Sequence, residues 1–125
     1  MKEITKESIE EFLNYYHYFH DSTIEDFNYN FKTSEILITI DVFWSGKPKL
    51  KENGYYETNK TKIKMILKKK KEFKIDEEND FGYIDHLYFK FINLNKKEYL
   101  CFATAEKDPH IYIVCDKVKY EEIKS

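Results

Sequence analysis

The sequence predicts an α+β fold, in which one N-terminal helix packs on a mostly antiparallel sheet of about six strands. Apolar residues follow a helical period up to residue 20, and they then alternate with polar residues along most of the remaining chain. A strongly curled sheet or partial barrel is the alternative arrangement. Because 125 residues are enough for one hydrophobic core, we expect a single α+β domain over residues 1–125.

The predicted helix begins near Thr5 or Ser8 and ends near Tyr18 or Phe19. Ser8 and Glu11 have the spacing of a capping box, in which a hydroxyl and a carboxylate satisfy free backbone amides reciprocally. The residues that share the apolar face at helical spacing are Ile9, Phe12, Leu13, Tyr16 and His20. This pattern is typical of a helix that covers one face of a sheet.

Two strands of a hairpin follow, over residues 27–32 and 35–44, with a turn at Thr33 and Ser34. That turn pairs apolar residues across the strands: Phe31 with Ile36, Tyr29 with Ile38, and Phe27 with Ile40. Residues 45–59 then read as a loop, because they begin with the strand-breaking sequence Ser45-Gly46-Lys47-Pro48.

A lysine-rich strand is predicted from residue 60 onward. Odd-numbered positions, which form one face of the strand, are mainly apolar and include Ile63, Met65, Leu67, Phe73 and Ile75. Even-numbered positions, which form the other face, include Lys62, Lys64, Lys68, Lys70 and Lys74. Lys69 and Lys71 fall on the apolar parity, so either the strand breaks there or that part is a solvated, charged edge. An acidic loop is expected over residues 76–80.

Three further strands are predicted in the last third of the chain, joined by turns at Asn95-Lys96 and Lys107-Asp108. These turns pair Leu87, Phe89 and Phe91 of the first strand with Thr104, Phe102 and Leu100 of the second, and those in turn with Ile111, Ile113 and Cys115 of the third, so that the three strands share one apolar face. Residues 118–123 are expected to add a short terminal strand or a turn.

The composition limits the classes of function. All 21 basic residues are lysines and the net charge is −2, so the planar, bidentate phosphate and guanine contacts of arginine are absent. Cys101 and Cys115 have no redox or zinc spacing, and no other pattern indicates a metal or another cofactor. Without a membrane-spanning apolar run or a signal-peptide core, the sequence favours a cytoplasmic protein with no membrane partner.

The sequence His20-Asp21-Ser22 contains the residue types of a hydrolase triad, but adjacent side chains do not form that geometry merely by being neighbours. We therefore interpret it as a structural turn, with Asp21 or Ser22 bonded to local backbone and His20 facing the helix–sheet interface. A hydrolase or metal-dependent enzyme using His20 and Asp21 is an alternative. It requires these side chains to meet His86 or His110 in a cleft.

Binding surfaces are the other candidates. The eleven tyrosines exceed what such a core can satisfy, and exposed tyrosine suits protein interfaces. Lysines next to aromatic residues could instead track a nucleic-acid or other polyanion backbone along residues 60–74. The candidate binding residues are Tyr55, Tyr56, Lys62, Lys64, Lys68 and Lys70.

The junction Phe19-His20-Asp21-Ser22-Thr23-Ile24, followed by Ile36-Leu37-Ile38-Thr39-Ile40-Asp41, resembles small bacterial α+β domains with a Phe-His-Asp-Ser-like junction. Some such domains look like immunity proteins of bacterial polymorphic-toxin systems, which neutralise a toxin by binding it. The resemblance implies a protein-binding domain that is not an enzyme, with a bacterial toxin as its partner. It identifies no toxin-binding residue and leaves the oligomeric state open.

Overall fold

The computed structural model describes residues 1–47, 49–57, 60–76 and 82–123. The elements in these ranges are β1 (Lys2–Glu3), α1 (Ile9–Tyr15), β2 (Ser22–Asn30), β3 (Glu35–Val42), β4 (Lys49–Leu50), β5 (Tyr56–Glu57), β6 (Thr61–Ile75), β7 (Tyr83–Ile84), β8 (Tyr88–Leu94), β9 (Lys97–Ala103) and β10 (Ile111–Ile123). Most of the predicted acidic loop, from residue 77, lies outside the described residues.

The predicted α+β architecture is wrong. Strands account for 58% of the chain and helical residues for 9%, and the sheet is a curled half-barrel of seven to eight strands. Because the sheet curls, its inner face covers much of its own apolar surface. Only the seven-residue helix α1 is added to that core, where Phe12 contacts the rings of Phe89 and Tyr120.

The main sheet runs in the order β7-β2-β3-β6-β10-β9-β8, all antiparallel, and β1 pairs with the far end of β10. Its two terminal strands, β7 and β8, are consecutive in the chain and are separated by only residues 85–87. A link of this length spans at most about 14 Å. The curl therefore brings the two edges of the sheet close together, and we call the gap between them the seam.

The β2–β3 hairpin has a different register from the predicted one. Tyr29 pairs with Ile36 and Phe27 with Ile38, two residues away from the expected partners. The cause is a longer turn, because the Asn30 side-chain oxygen accepts hydrogen bonds from the backbone amides of Lys32 and Thr33. A register shift of two residues keeps the predicted apolar face of the hairpin turned toward the core, but it leaves Phe31 in the turn with 84% of its surface exposed.

Strand β6 does not break at its lysines. Lys69 has a φ of 55°, and the β6–β10 register shifts at Val114 and Cys115 opposite this region, as in a β-bulge. The β3–β6 ladder ends at Leu67, so the part of β6 beyond it is an edge on that side. Of the two predicted possibilities, a break or a charged edge, the structure has the charged edge. The loop predicted for residues 45–59 contains a small hairpin, β4–β5, although Pro48, Thr58 and Asn59 lie outside the described residues.

The registers predicted for β8, β9 and β10 are confirmed, with Phe89 opposite Phe102 and Phe102 opposite Ile113. Residues 118–123, however, are neither a separate strand nor a turn. They continue β10, which runs for 13 residues between β6 on one side and β9 and then β1 on the other.

At the start of α1, the reciprocal hydroxyl bonds lie three residues earlier than the predicted capping box. Thr5 Oγ1 accepts from the Ser8 amide at 3.2 Å, and Ser8 Oγ accepts from the Thr5 amide at 2.9 Å. Ser8 makes no capping bond within α1, so the Ser8–Glu11 box is wrong. The helix ends at Tyr15, and a separate turn, His17–Phe19, leads into β2.

Candidate functional site

The turn between α1 and β2 has an unusual backbone. His17, Tyr18 and Phe19 have φ values of 52°, 53° and 57°, and Asp21 follows with 62°. Left-handed backbone costs a non-glycine residue about 1 kcal/mol or more. Phe19 is completely buried and its ring packs on those of Phe12 and Tyr16, so core packing offsets part of this cost.

This turn closes the seam of the sheet. The Leu87 amide donates to the Tyr18 carbonyl at 2.8 Å, and His20 Nδ1 lies 2.8 Å from the carbonyl oxygen of Asp85, to which it donates. The ring of His86 stacks on Tyr18 with centroids 4.4 Å apart. The left-handed backbone therefore places successive residues against the link between β7 and β8.

The side chains of His20, Asp21 and Ser22 do not make the expected local contacts. Ser22 is fully buried and its Oγ accepts from the amide of Phe43 at 3.1 Å, 21 residues away. Asp21 Oδ1 accepts from the hydroxyl of Tyr83 at 2.8 Å. His20 does not face a helix–sheet interface, since its side chain is 51% exposed. The predictions of local backbone bonds and of a buried His20 are wrong, because Asp21 turns the chain so sharply that β2 begins at Ser22.

Two carboxylates surround His20. Its Nε2 lies 3.4 Å from Asp21 Oδ2, and its Nδ1 lies 3.4 Å from Asp85 Oδ1. The hydrogen bond to the Asp85 backbone, followed by the charges of Asp21 and Asp85, raises the pKa of His20 above its ordinary value. His20 is therefore more often a cation near neutral pH than a free histidine is.

An open cleft of about 490 Å³ lies beside His20, lined by His17, His20, Asp21, Trp44 and Tyr56. The chain reaches it where β3 ends and the backbone turns at Gly46, whose amide donates to the Tyr15 carbonyl at 2.8 Å. Gly46 has a φ of 62°, and its carbonyl accepts from His17 Nε2 at 2.6 Å. These contacts hold Trp44 next to His17, with ring centroids 6.2 Å apart.

The cleft is the centre of a surface that we call the aromatic end. It consists of the half-buried Trp44 and the exposed side chains of Tyr15, Leu50, Tyr55, Tyr56 and Tyr83. Eight large apolar side chains are exposed within the described ranges, and all but Met1, Phe31 and Leu94 belong to this surface. Its members are connected through Gly46 beside Tyr15, through the Leu50–Tyr56 pair, and through the Tyr83–Asp21 hydrogen bond.

The aromatic end includes the predicted Tyr55 and Tyr56, which are 73% and 59% exposed. Sequence reasoning missed the other four members, Tyr15, Trp44, Leu50 and Tyr83, and also His17 in the lining of the cleft. Trp44 was assigned to the alternating pattern of β3, and the Ser45-Gly46 break directly after it was the only available signal that it could leave the sheet.

The structure separates the predicted lysines. Lys62 Nζ lies 2.9 Å from Glu25 Oε1, and Lys64 lines a groove of about 750 Å³ on the outer face of β2, β3 and β6. Lys68 lies opposite Lys117 in the ladder. Lys70 Nζ lies 5.0 Å from the ring centroid of Tyr29, which packs against the core. None of these contacts involves Tyr55 or Tyr56.

His86 and His110 do not join the cleft. His86 stacks on Tyr18, as described above, and His110 Nδ1 lies 4.0 Å from Asp76 Oδ2. Across the described parts of the chain, no three histidine, cysteine or carboxylate side chains are grouped closely enough to hold a metal ion.

The helical segments described for this chain are all too short or too polar to cross a bilayer.

Cys101 and Cys115 are buried and unpaired, as expected from their apolar surroundings. Burial raises the pKa of the Cys115 thiol to about 12 and also raises that of Cys101, which disfavours the reactive thiolate form.

Comparison of the chain with family models, with curated proteins and with solved structures finds no match.

Proposed function

We propose that this protein is a non-enzymatic protein-binding domain that docks its partner on the aromatic end. The observation that carries the proposal is the concentration of exposed tyrosines around Trp44 and its cleft. Tyrosine and tryptophan supply large contact areas with few rotatable bonds, and they are enriched among the residues that dominate binding energy.

Several side chains of this surface are already fixed before binding. Tyr83 is bonded to Asp21, Trp44 packs edge-on against Phe43, and Tyr15 packs edge-on against Tyr16. A surface that is ordered in the free protein loses less conformational entropy when the partner docks. This property favours tight binding by a modest number of contacts.

The cleft itself offers little to a hydrolase. Among the described residues, its five lining residues include no serine, threonine, cysteine or lysine, and Ser22, next to Asp21, is fully buried with its hydroxyl occupied. An activated nucleophile must reach both its base and the substrate. These features support binding over hydrolysis at this site.

The specific form of the proposal is an immunity-type inhibitor, which occludes a toxin inside the bacterial cytoplasm. Its support is the resemblance of the junction Phe19–Ile24 to such domains, together with the aromatic end. Nucleic-acid binding has less support, because Lys62 is paired with Glu25 and Lys70 lies over Tyr29.

The test is quantitative capture from lysate of the source cells by three forms of the protein: wild type, Trp44→Ala with Tyr56→Ala, and Phe31→Ala. Phe31 is the matched control, because it is also an exposed ring but lies in the β2–β3 turn. We expect one protein to be retained by the wild type and by Phe31→Ala, and to fall at least tenfold with the double variant.

The captured protein is then assayed alone and with excess wild-type protein. Inhibition of its activity, absent with the double variant, is the result expected for an immunity-type inhibitor. Equal capture by all three forms would show that the aromatic end is not the docking surface. Retention of RNA or DNA in place of a protein would favour nucleic-acid binding through the lysines of β6.

A further inference from the structure

The cleft has the composition of a site for a positively charged group. Four of its five lining residues, His17, His20, Trp44 and Tyr56, contribute rings, and Asp21 contributes a carboxylate. Among the described residues, no lysine lines it. Aromatic faces carry negative electrostatic potential and attract cations within about 6 Å, most strongly when the ring is tryptophan.

The Asp21 carboxylate is held in place and still has capacity to bind. Its Oδ1 accepts one hydrogen bond from Tyr83, and its Oδ2 lies 3.4 Å from His20 Nε2. A carboxylate offers about four lone-pair positions, so these two neighbours leave room for a further donor. Asp21 is 41% exposed, which lets a donor approach from the cleft.

The ring of His17 is also fixed, since its Nε2 donates to the Gly46 carbonyl at 2.6 Å. Donation from Nε2 leaves Nδ1 as an acceptor in the neutral ring. The cleft therefore presents acceptors and ring faces, and the imidazole of His20 is a donor that competes for Asp21.

We propose that this cleft accepts a lysine or arginine side chain of the partner, which ion-pairs with Asp21 and packs on Trp44 and Tyr56. The identity of the occupant as part of a protein rests on the function proposed above. The charge preference rests only on the cleft and is tested without the partner.

His20 competes with the incoming cation for Asp21. The charged groups that face His20 are Asp21 on its own turn and Asp85 on the β7–β8 link, and His17 lines the same cleft. When His20 is protonated, it neutralises Asp21 and adds a like charge. Binding of the cation therefore strengthens as pH rises through the titration of His20.

The chain contains a single tryptophan, so its selectively excited fluorescence reports on Trp44 alone. The probes are the N-acetyl methylamides of lysine, arginine and norleucine, the last being a neutral analogue of the lysine side chain. We expect saturable fluorescence changes with lysine or arginine at millimolar concentration, with affinity at least about threefold higher than for norleucine. Affinity should increase between pH 5 and pH 8.

Asp21→Asn is the test variant, because it removes the charge but keeps an oxygen that can accept from Tyr83. Glu10→Gln is its matched control, since Glu10 Oε2 accepts from the hydroxyl of Tyr18 at 3.0 Å and lies outside the cleft lining. We expect Asp21→Asn to abolish the preference for the charged probes, and Glu10→Gln to leave it unchanged. His20→Gln should weaken the pH dependence relative to wild type.

Equal affinities of the three probes, or an unchanged preference in Asp21→Asn, would overturn the inference. Failure of the inference is distinguishable from failure of the proposed function. Loss of capture in the Trp44 and Tyr56 double variant, together with full capture by Asp21→Asn, would retain the aromatic end and reject the cation. If the cleft prefers the charged probes but the double variant and Asp21→Asn both capture the protein as well as wild type does, the cation site would be retained and the aromatic end rejected.

Discussion

Ser22 and His20 illustrate at the residue scale how neighbours in sequence acquire different roles. Ser22 is fully buried and satisfies the amide of Phe43, whereas His20, two residues earlier, is exposed between two carboxylates. The sequence could predict a turn here from the loss of helical period. It could not supply Asp85 or Phe43 as partners, because only the curled sheet brings those residues to the turn.

The raised pKa of His20 makes stability depend on pH in a defined direction. A proton that binds more tightly in the folded state stabilises it at every pH below about 6.5, the unfolded pKa. That contribution disappears as pH rises through the folded pKa. We expect wild type to exceed His20→Gln in stability most at acid pH, and by less above neutrality.

Urea unfolding of both proteins between pH 5 and pH 8 measures this difference. Subtracting the two curves removes the titration of groups that both proteins share. A difference that grows with rising pH would contradict the placement of His20 between Asp21 and Asp85.

At the scale of elements, local turn chemistry decided which sequence predictions were right. The β8–β9 turn was identified correctly, because Asn95 and Lys96 are flanked by alternating strands of equal length. The β2–β3 turn was misplaced by two residues, because the apolar parity of Phe27, Tyr29 and Phe31 fits both registers. In β6 a run of four lysines carries no alternation, so the sequence could not locate the bulge at Lys69.

The β8–β9 turn offers a stabilising substitution. Asn95 and Lys96 have φ values of 50° and 65°, which is the backbone of a type I′ hairpin turn. Glycine adopts such a φ without steric cost, so Lys96→Gly should raise the free energy of unfolding by about 0.5–1 kcal/mol.

Lys107→Gly provides the control, because Lys107 is an exposed loop lysine that does not have a positive φ. There glycine only adds freedom to the unfolded chain, and we expect no gain in stability. Urea midpoints of the two variants and wild type separate the cases, and a loss of stability in Lys96→Gly would contradict the assigned turn.

At the scale of the whole molecule, the sequence left the curvature open, because the strongly curled sheet that the structure has was only the alternative arrangement. The strand pattern gave the apolar faces of β3, β8, β9 and β10, but alternation is identical in a flat sheet and in a curled one. In the predicted fold, the helix covers one whole face of the sheet. Because the sheet curls, α1 needs only seven residues, and the turn that follows it contacts the seam.

The seam should be a sensitive point for stability. Leu87 lies in the β7–β8 link with 1% of its surface exposed and donates its amide to Tyr18, whereas Leu94, at the far end of β8, is 37% exposed. We expect Leu87→Ala to lower the free energy of unfolding by about 2–5 kcal/mol, and Leu94→Ala to have a much smaller effect.

Hydrogen exchange distinguishes opening of the seam from uniform destabilisation. Amides of Ser22–Thr23, which pair with β7, should lose protection in Leu87→Ala before those of β6 do. Equal loss of protection throughout the sheet would show that Leu87 contributes only general core packing.

Strand β10 has a consequence for the nascent chain. It is the only described strand that joins the β2-β3-β6 side of the main sheet to β9 and β8, and it lies after both in the sequence. Until residues 111–123 leave the ribosome, β6 and β9 each present an open edge to the cell. Such edges invite pairing with other chains, so we expect the nascent chain to need chaperone protection until β10 has been added to the sheet.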